Sequence, residues 1–409
     1  MDAGAKLPKL GAIPSRRLPS GENKKMPVTN RIADFHDDMI AWRRDLHAHP
    51  EIAFEEKRTS DFVAAKLAEF GIDVHRGLGG TGVVGTLRNG DGPAIGLRAD
   101  MDALPMTEVN DIPHKSTNPG KMHACGHDGH TTMLLGAARY LAETRRFHGT
   151  VRFIFQPAEE GKGGGREMVK DGLFAKLPVD TVYGMHNWPG MKAGTFAVKA
   201  GPMMAASDNF EIVVTGKGGH GAMPHLCVDP VAIGAEIVGA LQKIASRTTH
   251  PVDSVVISVT NFHAGEDYAI IPETARLRGT VRTFRPAVQD ATEAAMKRIA
   301  EGIAAAHGAT AAFTYTRRYP ATVNHEAEAA IAAKVAGALA GEASVDRNPT
   351  PTMGAEDFSF MLNERPGCYL WLGAGETMPN LHSRTYDFND DLLPIGASYW
   401  AQLAETVLR

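Results

Sequence analysis

The strongest constraint on the fold of this 409-residue chain is the alternation of short apolar runs with longer amphipathic stretches. Runs of strand length cover residues 81–87, 94–100, 151–156 and 181–186, and an amphipathic stretch at 131–147 separates two of them. Strands that alternate with helices are typical of an α/β layer with a largely parallel sheet. We therefore predict a mostly parallel central sheet that is flanked by helices.

The pattern changes near residue 204, where stretches follow one another in the order β-α-β-β-α-β. That order is typical of a ferredoxin-like unit. A helical stretch and a strand-like run at 368–373 then resume the first pattern. The simplest arrangement is a small domain, residues 204–320, inserted into a larger domain that consists of residues 27–203 and 321–409.

The first 26 residues are rich in Pro, Gly and Lys and contain no apolar segment of the kind found in signal peptides. We expect them to form a disordered arm or an extension added to the native chain. The three cysteines, Cys125, Cys227 and Cys368, are an odd and sparse set. They fit a reducing cytoplasm better than a disulfide framework.

Charge and hydropathy argue against two classes of partner. A formal net charge of −4, with both signs interspersed, gives no electrostatic footprint for nucleic acid or for a membrane surface. The chain also lacks an apolar run of the roughly 18 residues that a membrane-spanning helix needs. We therefore expect neither nucleic acid nor a membrane as a partner.

Polar residues follow the ends of three predicted strands. One strand ends at Asp100, one ends shortly before Glu159 and Glu160, and one ends at His186. Ligands of open α/β sheets bind outside the carboxyl ends of the strands, so these residues can converge. The adjacent glutamates, on extended backbone, would point in different directions. One can then bind a metal while the other acts as a general base.

The segment HACGHDGH, residues 123–130, lies in the predicted loop before the helix at 131–147. It contains a thiol, three imidazoles and a carboxylate, and thiolates, imidazoles and carboxylates are all ligands of first-row metals. Gly126 has no side chain to obstruct Cys125 and His127 from turning to one site. A metal site is the interpretation that uses these residue types best.

A cysteine nucleophile is the alternative. It would require Cys125 to lie within about 3 Å of a base. His127 is near in sequence, but the partners of such a nucleophile usually come from distant segments. Taken singly, a Cys-x-His pair, two adjacent glutamates or one histidine is weak evidence, because solvated loops and buried cores often contain them.

Motifs from about residue 35 to residue 400 carry a family resemblance. They are LRADMDALP, MHACGHDGH, FIFQPAEEG, YGMHNWPG, GKGGHGAMPH, GAEDFSF and the final LHS. Together they resemble the motifs of the dinuclear metallopeptidase family of aminoacylases and glutamate carboxypeptidases. They look most like the branch that contains hippurate hydrolases, N-acyl-amino-acid amidohydrolases and auxin-conjugate hydrolases.

The resemblance implies two divalent metal ions, manganese or zinc, in each subunit. The implied metal ligands are Cys125, His127, Glu160, His186 and His382. Cys125 would bridge the two ions, and Glu159 would be the general base and acid.

The resemblance also implies residues that contact substrate. His220 would reach the partner subunit's site and stabilise the oxyanion, and Arg282 would bind the substrate carboxylate. Apart from the resemblance, Glu356 in GAEDFSF is a candidate substrate-binding residue that would line the pocket, and capping of a helix is the alternative. The inserted domain would act as a lid and dimerisation domain, so we expect a homodimer or a homotetramer.

Two positions depart from the family pattern. Other branches have His-x-Asp where this chain has Arg98-Ala99-Asp100, which leaves the role of Asp100 open. Relatives commonly have an asparagine that helps to hold substrate near the lid, and this chain has Ala269 in its place.

The predicted function is metal-dependent hydrolysis of the amide bond of N-acyl amino acids, with a small molecule as substrate. A dipeptidase, aminopeptidase or carboxypeptidase on the same scaffold is the alternative. A non-enzymatic binder would lack one of the five ligands or the base, and here all six positions are filled.

Overall fold

The computed structural model describes residues 28–409, and the predicted N-terminal arm or extension lies outside them. The helices are α1 (Asn30–Ala33), α2 (His36–Ala48), α3 (Lys57–Glu69), α4 (His127–Thr144), α5 (Glu159–Lys162), α6 (Gly164–Lys170), α7 (Leu173–Lys176), α8 (Pro230–Lys243), α9 (Pro286–Ala306), α10 (Glu326–Ala340), α11 (Ser359–Glu364) and α12 (Leu393–Val407). Shorter helical turns cover Pro224–Leu226, Ile244–Thr248, Glu342–Ser344 and Asp390–Leu392. The strands are β1 (Asp73–Leu78), β2 (Gly82–Asn89), β3 (Ala94–Asp100), β4 (Gly149–Gln156), β5 (Thr181–Pro189), β6 (Phe196–Ala197), β7 (Gly201–Met204), β8 (Ala206–Thr215), β9 (Gly219–His220), β10 (Val255–Ala264), β11 (Ile270–Ile271), β12 (Thr274–Thr283), β13 (Thr310–Tyr319), β14 (Thr322–Asn324), β15 (Val345–Asp346) and β16 (Gly367–Gly375).

A mixed sheet of eight strands forms the centre of the molecule, in the order β1-β2-β4-β3-β5-β16-β6-β15. Its four middle strands, β4, β3, β5 and β16, run parallel to one another, whereas β1, β2 and β4 pair antiparallel. The prediction of a mostly parallel sheet flanked by helices is confirmed. The parallel strands point their carboxyl ends to one edge, and the predicted polar residues lie there.

Both faces of this sheet are covered. Along β4, Phe153 and Phe155 belong to one apolar cluster, which includes residues of α2, α4 and α12. Ile154, between them, belongs to a second cluster with residues of α6, α7 and α11. Alternate side chains of a strand point to opposite faces, so burial on both faces explains why the strands read as continuous apolar runs.

A second sheet has four antiparallel strands in the order β10-β12-β8-β13. Helices α8 and α9 pack on it, and their apolar residues form a separate core with those of the sheet. The chain order β8-α8-β10-β12-α9-β13 is the β-α-β-β-α-β order of the sequence pattern. The domain boundaries at 203/204 and 320/321 stay a prediction.

The segment HACGHDGH is only partly a loop, because α4 begins at His127 rather than near residue 131. Gly126 adopts a left-handed conformation with φ 90° and ends the loop. Asp128 in the first turn interacts favourably with the positive end of the helix dipole. Among residues 28–409, no helix combines the length and the apolar character that crossing a membrane requires.

Candidate metal centre

The five predicted metal ligands converge at the carboxyl edge of the large sheet. Cys125, His127 and His186 place their ligand atoms within 4.8 Å of one another, and Cys125, Glu160 and His382 do the same. Cys125 belongs to both groups, which together contain every ligand that the family resemblance implies. The structure therefore brings together residues that lie more than 250 positions apart in the sequence.

Gly126 allows Cys125 and His127 to turn to the same side. Its φ of 90° is a conformation that residues with a Cβ atom rarely adopt. A Cβ at this position would lie 2.3 Å from Oδ1 of Asn187 and 2.9 Å from the hydroxyl of Tyr386. The glycine is thus required both by the turn and by the neighbouring side chains.

The contact between Cys125 and His186 favours a metal over a cysteine nucleophile. Sγ of Cys125 lies 3.3 Å from Nε2 of His186, whose Nδ1 donates a hydrogen bond to the carbonyl of Asn187 at 2.7 Å. Nε2 then carries a lone pair, as a metal ligand needs. Burial and the charge of Glu160 raise the pKa of Cys125 well above its usual range. A nucleophilic cysteine needs the opposite shift, whereas a bound cation would stabilise the thiolate.

The buried ring of His127 has the environment of a metal ligand. Both ring nitrogens are buried, and neither makes a hydrogen bond within the described residues. Nδ1 lies 3.3 Å from Oδ1 of Asp102, in a geometry that is not a hydrogen bond, and Nε2 lies 3.8 Å from Oδ2 of Asp100. Burial opposes protonation, but these carboxylates raise the pKa of His127 to about 10. Buried polar atoms rarely lack partners, so this ring fits a metal site.

The two adjacent glutamates differ from the expectation of extended backbone. They lie in the short helix α5, where Glu160 departs from helical geometry with φ −67° and ψ 77°. Their backbone N–H groups donate to the two carboxylate oxygens of Asp102, at 2.9 and 3.0 Å. The tight turn, rather than strand alternation, separates the side chains of Glu159 and Glu160.

The side chains of these glutamates have opposite pKa shifts. Burial, reinforced by the charges of Glu356 and Glu160, raises the pKa of Glu159 well above its usual range. Burial also acts on Glu160, but its contact with His382, 3.2 Å between Oε1 and Nε2, leaves its pKa lowered. Neighbouring carboxyl groups whose pKa values are pushed apart are typical of an acid–base residue beside a ligand.

A cavity of about 450 Å³ opens over these residues, and Arg282 and Glu356 line it. Within residues 28–409, Arg282 makes no ion pair with a carboxylate, so its guanidinium is available to a ligand. Burial lowers the pKa of Arg282, Asp208 partly offsets this effect, and Arg318 adds to it. Glu356 is already occupied, because its oxygens accept from Arg98 and Tyr369.

His220 is not brought to this cavity within the single described chain. It lies exposed on β9, opposite Ile270 of β11. Its Nδ1 accepts a hydrogen bond from the backbone of Ala222 at 3.1 Å. Ala269, the departure from the family pattern, holds the same turn through its carbonyl, which accepts from Gly221 at 2.6 Å.

The family model described as Peptidase family M20/M25/M40 matches residues 96–406. The chain belongs to this family. A hippurate hydrolase of Campylobacter jejuni is 42% identical over 385 residues, which cover 94% of this chain and 100% of that protein. Thermostable carboxypeptidase 2 of Saccharolobus solfataricus is 40% identical over 388 residues, which cover 92% of this chain and 97% of the relative. The solved structure of a Bacillus subtilis dinuclear metal binding peptidase of the M20 family superposes with a TM-score of 0.81 at 36% identity, covering 92% of this chain and 99% of that one.

These findings confirm the predicted resemblance and the prediction that this M20 chain is an amidohydrolase. They also agree with a dinuclear metal site, since the described residues offer candidate ligand groups. The role of each residue and the identity of the metal belong to the proposal below.

Asp100 and Asp102, to which the sequence analysis assigned no role, support the M20 site through hydrogen bonds. Asp100 is buried and accepts from Arg98 at 2.8 Å, and its Oδ1 lies 2.6 Å from Nδ1 of His130. Arg98 and Asp100 are two residues apart on a buried strand, so their side chains lie on the same face of the sheet. Their ion pair could therefore have been predicted from this spacing. Asp102 had no such signal, because its partners are backbone N–H groups on another segment.

Proposed function

We propose that this chain hydrolyses the amide bond of N-acyl amino acids of the hippurate type, releasing a carboxylic acid and a free amino acid. One observation carries the proposal: a single cavity contains the buried Glu159, four of the five donors, and Arg282 without an internal carboxylate partner. The hippurate hydrolase among the relatives supports this choice of substrate.

In this proposal two divalent ions, manganese or zinc, would bind at the carboxyl edge of the large sheet. The residues that would hold them are Cys125, His127, Glu160, His186 and His382. When bound, such a pair of ions lowers the pKa of a water molecule and polarises the scissile carbonyl. Cys125 belongs to both ligand groups, so its thiolate would be a ligand in each.

Glu159 moves the proton. It accepts a proton from the water whose oxygen bonds to the scissile carbonyl carbon. When the carbon–nitrogen bond breaks, Glu159 gives that proton to the leaving nitrogen, so the products are a carboxylic acid and an amine. Arg282 orients the substrate by binding the carboxylate of its amino-acid part with two parallel hydrogen bonds.

In this proposal, His220 of one subunit acts at the active site of the other subunit. Its place on an exposed turn outside the cavity supports action across a dimer, where it would stabilise the oxyanion. Residues 204–320 would then form the lid and dimerisation domain of a homodimer or a homotetramer. Glu356, whose oxygens have internal partners, would shape the substrate pocket rather than bind substrate directly.

A carboxypeptidase or dipeptidase is the second candidate, and the thermostable carboxypeptidase among the relatives favours it. Both activities would use the same residues, since both substrates present a carboxylate to Arg282. A dipeptidase differs on the other side of the scissile bond, where the free α-amine of a dipeptide needs a carboxylate and an acyl group needs an apolar wall. Trp188, Met204 and Leu381 line the cavity and favour the acyl group.

The test compares N-benzoylglycine, N-acetyl amino acids and free dipeptides as substrates for protein loaded with manganese or with zinc. We expect the N-acyl amino acids to be preferred, chelation to abolish turnover and metal to restore it. Glu159→Gln should keep its metal and lose about two to four orders of magnitude in kcat. Near-normal turnover by this variant contradicts the role of Glu159. A preference for free dipeptides would favour the second candidate. Resistance to chelators together with inactivation by thiol alkylation would favour a cysteine nucleophile.

A further inference from the structure

The backbone around Glu159 is irregular over residues 158–163, which we call the glutamate turn. Ala158, Gly161 and Gly163 all have positive φ, at 54°, 76° and 77°. For Ala158, which has a Cβ atom, this left-handed conformation is strained. A strained turn persists only where its surroundings hold it. The position of Glu159 therefore depends on contacts from outside the turn.

The carboxylates of Glu56 and Asp102 accept hydrogen bonds from the N–H groups of the glutamate turn. Oε1 of Glu56 accepts from the backbone of Ala158 at 2.9 Å. Both oxygens of Asp102 accept from Glu159 and Glu160. These hydrogen bonds fix the backbone N–H groups of the glutamate turn.

The carbonyl groups of the glutamate turn are held by the four-stranded sheet instead. The hydroxyl of Tyr319, at the end of β13, donates to the buried carbonyl of Glu159 at 2.7 Å. The neighbouring Arg318 donates from Nη2 to the carbonyl of Gly161. Tyr319 itself is only 6% exposed and lies opposite Ser207 of β8, so its ring is well fixed.

We propose that Tyr319 is a positioning residue that fixes the general base through its backbone carbonyl, with Arg318 as a second contact. The proposal rests on the assignment of Glu159 in the proposed function. Removing the hydroxyl leaves a buried carbonyl without its donor, and the strained turn can then relax. The carboxylate of Glu159 would move with its backbone, while the cavity wall formed by the tyrosine ring would stay.

The variant Tyr319→Phe tests this, because it removes one oxygen and keeps the ring. Tyr315→Phe is the matched control: its hydroxyl lies on the same strand but donates to Asp208 within the four-stranded sheet, at 2.7 Å. We expect Tyr319→Phe to lower kcat about 10- to 100-fold with KM nearly unchanged, since a small misplacement of a catalytic group costs rate rather than binding. Tyr315→Phe should leave kcat unchanged.

A second readout does not depend on activity. Hydrogen exchange in peptides that contain residues 158–163 should be faster in Tyr319→Phe than in the wild type and in Tyr315→Phe, at equal metal content. Wild-type exchange in the glutamate turn, or a kcat equal to that of the wild type, overturns the proposal. If Tyr319→Phe does not fold, Arg318→Met removes the other contact. Because Arg318 also lines the cavity, hydrogen exchange of residues 158–163 is the measurement for this variant; it should be faster than in the wild type, and an unchanged rate overturns the proposal.

The double variant Glu159→Gln/Tyr319→Phe separates positioning from an independent catalytic role. If Tyr319 acts only through Glu159, the double variant should turn over at the rate of Glu159→Gln alone. A further loss in the double variant shows that Tyr319 acts by itself and overturns the proposal. If Glu159→Gln has near-normal activity, the proposed function fails instead, and that result is read from the single variant.

Discussion

His47 lies buried between two carboxylates, one at each nitrogen of its ring. Nδ1 is 2.8 Å from Oδ2 of Asp128, and Nε2 is 3.3 Å from Oε1 of Glu108. Carboxylates only accept, so both nitrogens donate and the ring is an imidazolium. Burial opposes this charge, but the two hydrogen bonds raise the pKa of His47 to about 9. Because Asp128 follows His127 in α4, the buried pair also anchors the metal-binding turn.

The raised pKa of His47 predicts how stability depends on pH. The protonated ring stabilises the folded state fully below the unfolded pKa of about 6.5, and this contribution is lost as the pH rises through 9. The shift corresponds to about 3 kcal/mol, as an order of magnitude. We expect His47→Gln, which does not titrate, to lower Tm clearly at pH 6 and much less at pH 9.5. Equal losses of Tm at both pH values, measured by thermal unfolding, would show that His47 is not charged in the folded protein.

The chemistry of individual side chains was predictable where the residue type itself limits the role. Cys125, His127 and His186, taken together because they occur at a predicted strand end or in a neighbouring loop, predict a metal site, and their ligand atoms do lie together. Tyr319 and Asp102 were not predictable, because each acts on the backbone of a distant segment. Such a contact leaves no pattern in either segment and depends on the fold alone.

Gly126 shows how one position controls the start of a whole helix. It ends the loop that carries Cys125 and turns the chain into α4 at His127. We expect Gly126→Ala to destabilise the protein by about 2 kcal/mol or more, from the left-handed φ and the contact with Asn187. It should also bind less metal, because Cys125 and His127 no longer face one another. Thermal unfolding and elemental analysis of bound metal measure the two effects.

Gly302→Ala is the control for this substitution. Gly302 lies in α9, where an added Cβ meets no atom within 4 Å, so alanine should leave metal binding unchanged and stabilise the helix slightly. A Gly126→Ala protein with the metal content of Gly302→Ala would contradict the role of this turn.

The strands that carry the site were predictable, and the elements at the margins were not. The continuous apolar runs of β3, β4 and β5 reflect burial on both faces. No prediction was made for α12, whose first nine residues, Leu393–Ala401, are all buried. The two-residue strands β6 and β15 exist only through their neighbours in the sheet, which no local pattern encodes.

The change of pattern near residue 204 predicts the two-domain organisation of the molecule, and the four-stranded sheet is built only from strands that follow it, between Ala206 and Tyr319. The sequence pattern does not identify the surface that would contact a second subunit. Large apolar side chains are exposed near His220, among them Met223, Leu226 and Ile270. Exposed apolar residues grouped on one part of a molecule are typical of a protein–protein contact, which supports the proposed dimer.

Subunit mixing tests whether His220 acts across that dimer. Glu159→Gln and His220→Ala homodimers should both be nearly inactive, since each lacks one group at every site. A heterodimer of the two has one complete site, made of Glu159 from one chain and His220 from the other. Random mixing should therefore recover about a quarter of wild-type activity, because half of the dimers are heterodimers and half of their sites are complete. Mixing Glu159→Gln with Glu159→Ala controls for exchange itself and should recover nothing. Heterodimers purified with two different affinity tags that remain inactive would show that His220 does not complete the partner's site.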